Sequence, residues 1–375
     1  MAVVEEIGVD QLNPKSVDQV QKLLYDRLGM PILKATSKGG STDAETLRNL
    51  ADKHPVAQQI LELRSYYYDL SELDTIKKRR RRDGKISCNF RQDVVVTGRL
   101  SSSTPNLQNL PANGRIKEVF GSRYGKEGCF LQADYSQLEV RLLASLSGEK
   151  NYIKSFLENW DTHAAVASLI FGVPLDEVTK EQRSNGKRVN FGVIYGIGPK
   201  KLAGDMGRPG DTFYAKQILE KYLRSHPQVA QWIELVRRTA NKQLWVQNRF
   251  GRVRYLPDAN SSDDLVRWRA ERQAVNFLIQ SLGAEIIMDC CRRFILWVHK
   301  HCPSAKIMGQ VHDSIFVDCK LGDAERVGQA LHQIMTVETG ERLRFLKVPL
   351  KADIKYGPNM KEETHDIPFL CTSPN

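Results

Sequence analysis

Three things are scarce in this sequence, and each scarcity removes a class of protein. Cysteine is the first: Cys88, Cys129, Cys290, Cys291, Cys302, Cys319 and Cys371 form no Cys-x-x-Cys pair and are odd in number. That argues against a disulfide framework or a zinc site, and for free thiols in a reducing, intracellular compartment. Long apolar runs are the second, since no stretch approaches the ~18 consecutive apolar residues of a membrane span. The acidic segment from Met1 to Asp10 likewise has no apolar core of the kind a secretory signal needs, so no membrane partner is expected. Internal repeats are the third, and none is visible. What is present is ordinary for a folded protein. Hydrophobic residues at 41% and charged residues at 26% permit a real core and exclude disordered and collagen-like chains. A length of 375 residues suggests two or three domains or subdomains. Lys and Arg outnumber Asp and Glu by 55 to 44, a net charge of +11 that favours a polyanionic partner without requiring one.

Along the chain, Ser16–Leu28, Ala44–Leu50 and Val56–Leu73 carry apolar positions at helical spacing, with Ser41-Thr42-Asp43 as an N-cap for the second. The run Lys77, Lys78, Arg79, Arg80, Arg81, Arg82 follows and ends at the turn signal Asp83-Gly84. It reads as a solvated loop, a nuclear-localisation stretch or a set of phosphate contacts. Residues 89–111 are polar and loop-rich. Cys129–Ala133 is a short buried strand leading into Asp134, followed by a helix with Leu138, Leu142, Leu143 and Leu146 on one face. Residues 151–245 are mostly helical, interrupted at Gly192, Gly196, Gly198, Gly204 and Gly207, and 271–299 is one long helix. Ile307-Met308 and Ile315–Val317 read as strands around a polar tip, Gly309–Ser314. The fold class is α+β.

Asp134 at a strand end and Asp313 at a hairpin tip are rigidly held carboxylates, the hard oxygen donors that suit Mg²⁺. Taken singly, each also reads as a turn residue or N-cap. Arg183, Lys187, Phe191 and Tyr195 recur every four residues, so on a helix they look toward one side. Two cations and two aromatics suit a nucleoside triphosphate, but an amphipathic helix would look the same. Asn190, Gly192 and Gly196 weaken that plainer reading, because each glycine costs a helix about 1 kcal/mol and calls for a reason such as ligand approach or bending. Arg272, Asn276 and Gln280 form a second four-residue stripe, either a solvent-facing edge or a reader of minor-groove acceptors.

Together these residues resemble family A DNA polymerases, the bacterial DNA polymerase I type. Asp134-Tyr135-Ser136-Gln137-Leu138-Glu139-Val140-Arg141 is similar to their motif A, the Arg183–Gly196 stretch to motif B, and Gln310-Val311-His312-Asp313 to motif C. Thr97-Gly98-Arg99-Leu100-Ser101-Ser102 with Pro105–Pro111 is similar to their template-primer segment, and Gly251–Asp258 and the Arg272/Asn276/Gln280 stripe also match. Motifs in the family's order and at the family's spacing are specific, and the likeness covers nearly the whole chain.

The resemblance implies a right-hand polymerase fold with an antiparallel-sheet palm and mostly helical thumb and fingers. The thumb would span 5–90, the palm 91–146 and 271–375 with a C-terminal tail, and the fingers 147–270. It implies template-directed extension of a primer 3′-hydroxyl by dNTPs. Asp134, Asp313 and the Tyr135 carbonyl would hold two Mg²⁺ ions, with Mn²⁺ as a substitute. Arg183 and Lys187 would hold the triphosphate, Lys187 also donating a proton to pyrophosphate. Phe191, Tyr195, Gln137 and His312 would surround the new base pair. Glu139, tied to Tyr195, would fill the space a 2′-hydroxyl needs. Arg99, Asn106, Gln108, Asn109, Arg272, Asn276 and Gln280 would contact DNA, with the Lys77–Arg82 run beside the duplex. The implied partners are primer-template nucleic acid and dNTPs, and the chain is expected to be a monomer in the cytoplasm or nucleoid, with an organellar or viral origin left open. Reverse transcription by the same site, and a non-catalytic DNA-binding role, are the alternatives. The family's motif C usually continues with Glu, where this chain has Ser314, which removes a charge near the metals. Because only a few residues precede the thumb-like helices, the chain as given is expected not to proofread.

Overall fold

The computed structural model describes residues 12–110, 115–361 and 365–367. Met1–Asp10, the start of the thumb range, Pro111 of the template-primer segment, and the tail beyond 367 with Cys371 lie outside the described residues. The chain divides into two compact units, 1–89 with 103–117, and 90–102 with 118–375.

The first unit is helical. Val17–Gln21 continues as a wider-wound turn, Lys22–Arg27, and is followed by helices Ala44–Ala51 and Pro55–Arg79. Asp43 caps the second helix by accepting from the Thr46 amide at 2.8 Å, as its place before the apolar run suggested. Val20, Leu23, Leu24, Leu47, Leu50, Val56, Ala57 and Ile60 close one apolar cluster. The long helix runs beyond the sequence expectation of Leu73. It takes in Lys77–Arg79 as its last turn, where cations meet the negative end of the helix. Arg80, Arg81 and Arg82 follow it into the turn, and all six cations are exposed.

The second unit is built on a five-stranded antiparallel sheet in the order His365–Asp366, Ala352–Gly357, Gly128–Tyr135, Ser314–Lys320, Lys306–Val311. Side chains alternate across a strand. Along the central strand, Cys129, Leu131, Ala133 and Tyr135 therefore face the core, while Gln132 and Asp134 face the other way. The core side packs on the helices Asp264–His301 and Ala324–Gln333. One expectation is corrected here, and one strand is added. The polar tip is not six residues long, because the strands reach Val311 and Ser314 and leave only His312-Asp313 as the turn. The strand Ala352–Gly357, paired beside the central strand, carried no signal strong enough to be read.

The helix Asp264–His301 starts seven residues before the expected 271, capped by Asp263, and runs unbroken through the 270/271 boundary. Although it holds no unbroken apolar run of membrane-spanning length, the helix is long and apolar enough by mean hydropathy to cross a membrane, and 67% of its most apolar window is buried inside the protein. It is the core helix of the sheet. Helices Leu138–Ser147, Lys150–Leu157, Thr162–Phe171, Lys180–Ile194, Pro199–Asp205, Thr212–Ser225 and Pro227–Gln243 make up most of the remainder.

Leu131 is fully buried in the central strand, whereas Leu296 on the long helix is 59% exposed. Leu131→Ala is expected to cost about 2–5 kcal/mol of stability, and Leu296→Ala less than about 1 kcal/mol. Chemical denaturation of the two variants checks the difference.

Candidate active site

Sheet register places the two carboxylates. Asp134 sits opposite Ser314 on one side and Asp353 on the other. Asp313 is the second residue of the adjoining hairpin, and its carbonyl accepts from the Tyr135 amide at 3.1 Å. The two-residue turn requires φ > 0 at its first position, and His312 supplies φ +52°. The Gln310 side-chain amide donates to the His312 carbonyl and braces the turn. Tyr135 turns its ring into the core, where its hydroxyl donates to the Met335 carbonyl at 2.5 Å.

A second group of residues converges on Asp313. Arg99 donates to Glu139 Oε1 at 2.5 Å and lies 4.0 Å from Asp313 Oδ1. The Tyr195 hydroxyl donates to Glu139 Oε2 at 2.8 Å, and Gln280 also bonds that hydroxyl. Residues from 99 to 313 thus meet around one buried carboxylate, Glu139, which is 4% exposed. Burial pushes the Asp313 carboxyl up to about 6; Arg99 opposes the rise, and Glu139 and Asp134 add to it. Burial likewise raises Asp134, with Asp353 adding and the Ser314 and His312 side chains opposing. Two carboxylates held above their ordinary range by burial and by neighbouring carboxylates form a site that a hard cation would relieve. Among the described residues no cluster of three or more His, Cys, Asp or Glu could hold a metal. Asp134 and Asp313 fit an ion that takes two carboxylates and fills its other positions with a backbone carbonyl, water and substrate oxygens.

The helix Lys180–Ile194 begins with a reciprocal capping box, Thr179 with Gln182. Its Arg183, Lys187 and Phe191 line the more open side, while Val189, Asn190, Val193 and Ile194 are buried. Phe191 and Tyr195 stack at 6.5 Å with 16° between planes. Lys187 is exposed, and Arg183 is paired with Asp161. Against the upward push of burial, that pair and the His163 and Ala164 amides hold Asp161 below its ordinary range. The glycines have reasons inside the protein. A Cβ on Gly192 would meet Ile197 at 2.7 Å, and Gly196, at φ +63°, lies against the Arg272 side chain. Arg252 packs on Gly98 and pairs with Glu285 at 2.6 Å, tying the Gly251–Asp258 segment to Arg99. Asn276 Oδ1 is buried without a hydrogen-bond partner among the described residues.

A family model for DNA polymerase family A matches residues 1–362. The chain belongs to DNA polymerase family A. It is 35% identical to the thermostable DNA polymerase I of Thermus aquaticus over 369 residues, 95% of this chain and 42% of that protein. It is also 35% identical to DNA polymerase I of Mycobacterium tuberculosis over 363 residues, 95% of this chain and 39% of that one. This family A chain thus spans about two fifths of the length of the curated relatives it matches. A solved structure, the POL domain of Pol1 from M. smegmatis in complex with DNA primer-template and dNTP, superposes with a TM-score of 0.86 at 33% identity. It covers 97% of this chain and 64% of its own. The fold is therefore the α+β polymerase fold.

Within this family A chain, the structure brings Asp134, Tyr135, Glu139, Arg99, Tyr195, Gln280, His312 and Asp313 into one cluster, with Arg183, Lys187 and Phe191 on the adjoining helix. Gln137 accepts from the Thr162 hydroxyl, so it braces the next helix as well as bordering the site. Asn106, Gln108 and Asn109 belong to the first unit, where Asn106 caps a short turn by accepting from the Gln108 amide at 3.2 Å. Ser314, at the position where Glu was expected, donates to Asp134 Oδ1. Three residues carried no assigned role in the sequence: Asp161, His163 and Asn190. His163 packs on Phe191 at 5.8 Å, bonds Asn190 at 3.0 Å, and is lowered to about 4 by burial, with Lys187 and Arg183 adding and Asp161 opposing. A His behind a helix cap has no periodic signature, so only its contacts reveal it.

The close packing of the Thr162–Phe171 and Lys180–Ile194 helices depends on Gly186, where a Cβ would lie 2.3 Å from the His163 carbonyl oxygen. Gly186→Ala gains about 1 kcal/mol of helix propensity, but separating the helices costs about 1–3 kcal/mol or more. Net destabilisation, read as a lower Tm, is expected; a raised Tm would show that the helices yield freely.

Proposed function

We propose that the chain catalyses template-directed DNA synthesis, extending a primer 3′-hydroxyl with dNTPs and releasing pyrophosphate. The observation that carries this is the meeting of Arg99, Glu139, Tyr195 and Asp313 around one buried carboxylate, beside Asp134 and below the Arg183/Lys187/Phe191 helix. Family membership and the solved polymerase–DNA–dNTP relative support the same reading. In hand terms, we assign the thumb to 5–90, the palm to 91–146 and 271–375, and the fingers to 147–270.

Asp134, Asp313 and the Tyr135 carbonyl would hold Mg²⁺ ions, which when bound polarise the primer oxygen and the phosphoryl group. The protein's own work is mostly positioning. Arg183 and Lys187 hold the triphosphate, for which Arg183 exchanges Asp161 for phosphate oxygens, and Lys187 is placed to protonate pyrophosphate. Phe191 stacks on the incoming base, and Tyr195 guards the templating position. Glu139, fixed from both sides by Arg99 and Tyr195, fills the space a ribose 2′-hydroxyl would need. His312, Arg272, Asn276 and Gln280 meet primer and template near the new pair, and Lys77–Arg82 with Asn106, Gln108 and Asn109 touch the duplex backbone. The unpartnered Asn276 oxygen supports that contact, since a base or water donor would satisfy it.

Asp313→Asn is expected to slow extension of a labelled primer by about a hundredfold or more, the scale of losing one preorganised transition-state contact. Equal extension by both proteins would overturn the carboxylate assignment. Glu139→Ala is expected to raise rNTP use relative to dNTP use by about tenfold or more, since an opened space removes a steric penalty of at least ~1.4 kcal/mol. An unchanged ratio in single-nucleotide incorporation assays would exclude Glu139 as the gate.

A further inference from the structure

Behind the Lys180–Ile194 helix, away from its Arg183/Lys187 side, lies a run of buried polar side chains that nucleotide binding as described does not use. Tyr152, Tyr222, Asn190 and His226 are each at most 1% exposed, and His163 is 5% exposed. Polar groups in such a place are costly unless each hydrogen bond is made. Here they are made in sequence. The Tyr152 hydroxyl meets both Asn190 Oδ1 and the Tyr222 hydroxyl, the latter at 2.6 Å, and Asn190 Nδ2 lies 3.0 Å from His163 Nδ1. His226 closes the far end, stacked on Tyr222 at 4.5 Å.

With Asn190 Oδ1 turned toward Tyr152 and Nδ2 toward His163, as the structure places them, the donors in this run take one direction. Asn190 Oδ1 can only accept, so Tyr152 gives it its single proton, and Tyr222 must donate to Tyr152. Asn190 Nδ2 can only donate, so His163 Nδ1 must carry the lone pair. A neutral imidazole so bonded keeps its proton on Nε2, the opposite side of the ring, which makes no hydrogen bond among the described residues. Burial holds His163 neutral near pH 7. The ring packs on Phe191, and the backbone amide of His163 shares Asp161 with Arg183.

We propose that Tyr152 is a positioning residue for nucleotide binding: through Asn190 it locks His163 as an Nε2–H donor to the triphosphate of the incoming nucleotide, beside Arg183 and Lys187. This rests on the nucleotidyl-transfer reading above. Neither Tyr152 nor Tyr222 touches substrate. Their effect reaches it only through the imidazole's tautomer.

The test joins a spectroscopic readout with kinetics. In protein labelled with ¹⁵N-histidine, the His163 signals, assigned by their loss in His163→Gln, should show Nδ1 unprotonated and Nε2 protonated. Tyr152→Phe should mix the two tautomers and raise the dNTP KM roughly three- to tenfold, the scale of one misplaced hydrogen bond, with kcat within about twofold. Tyr222→Phe removes a hydroxyl from the same core but leaves the Tyr152 proton on Asn190, so tautomer and KM should stay as in the parent. Asn190→Asp offers no donor and should drive the proton to Nδ1. A protonated Nδ1 in the parent, an unchanged tautomer in Tyr152→Phe or Asn190→Asp, or equal losses from the two tyrosine variants would overturn the proposal. If the parent failed to extend a primer, the polymerase reading would fall, while the nitrogen signals of the free protein would still decide the tautomer relay.

Discussion

Glu139 is a carboxylate almost wholly withdrawn from water, and a charge in that position must be met by partners or it unravels the structure around it. Its two oxygens are met from opposite directions, by the Arg99 guanidinium and the Tyr195 hydroxyl. Arg99 comes from the loop-rich segment ahead of the sheet, and Tyr195 caps the helix that carries Arg183 and Lys187. Each is useful only where Glu139 holds it. Because Arg99 also reaches toward Asp313, the same charge network touches the metal-suited carboxylates. Removing one member of such a network leaves another buried charge unpaired, a cost of several kcal/mol that exceeds the net worth of the pair.

The sheet supplies the other constraint. With side chains alternating strictly along each strand, a one-residue slip would send Asp134 into the core and Ala133 out of it. The observed register puts Asp134, Ser314 and Asp353 side by side. That gives the departure at Ser314 a definite consequence. In place of a further negative charge, a hydroxyl proton is donated to Asp134, so one carboxylate oxygen is oriented and the site carries less repulsion. The pocket suited to a cation is thus built from two principal carboxylates with a neutral neighbour.

Helix packing then ties the Arg183/Lys187 side of the Lys180–Ile194 helix to the interior. Gly186 lets two helices approach until the His163 carbonyl occupies the space a Cβ would need, and this close approach is what sets His163 against Phe191 and Asn190. The polar run behind it, Tyr152 to Tyr222, is satisfied bond by bond, so it specifies one arrangement at the cost of tolerating few others.

Much of this was legible in the order of residues alone. Periodicity found the first-unit helices and their Asp43 cap, the strand into Asp134 and the hairpin near Asp313, because those signals are local. The motifs named the family. Element ends were less legible: the helix through Lys77–Arg79 and the strands flanking His312-Asp313 continued past the last apolar residue, where hydrogen bonding and packing outweigh propensity. Wholly hidden were the strand Ala352–Gly357, the Asp161–Arg183 pair and the contacts of His163 and Tyr152. By itself the sequence determined which chemical groups are present and which local elements carry them. Only the tertiary structure decided which groups meet, because Arg99, Glu139, Tyr195 and Asp313 are separated by up to 214 positions. Sequence patterns extend over a turn or a strand, whereas a buried charge selects its partners by distance in space.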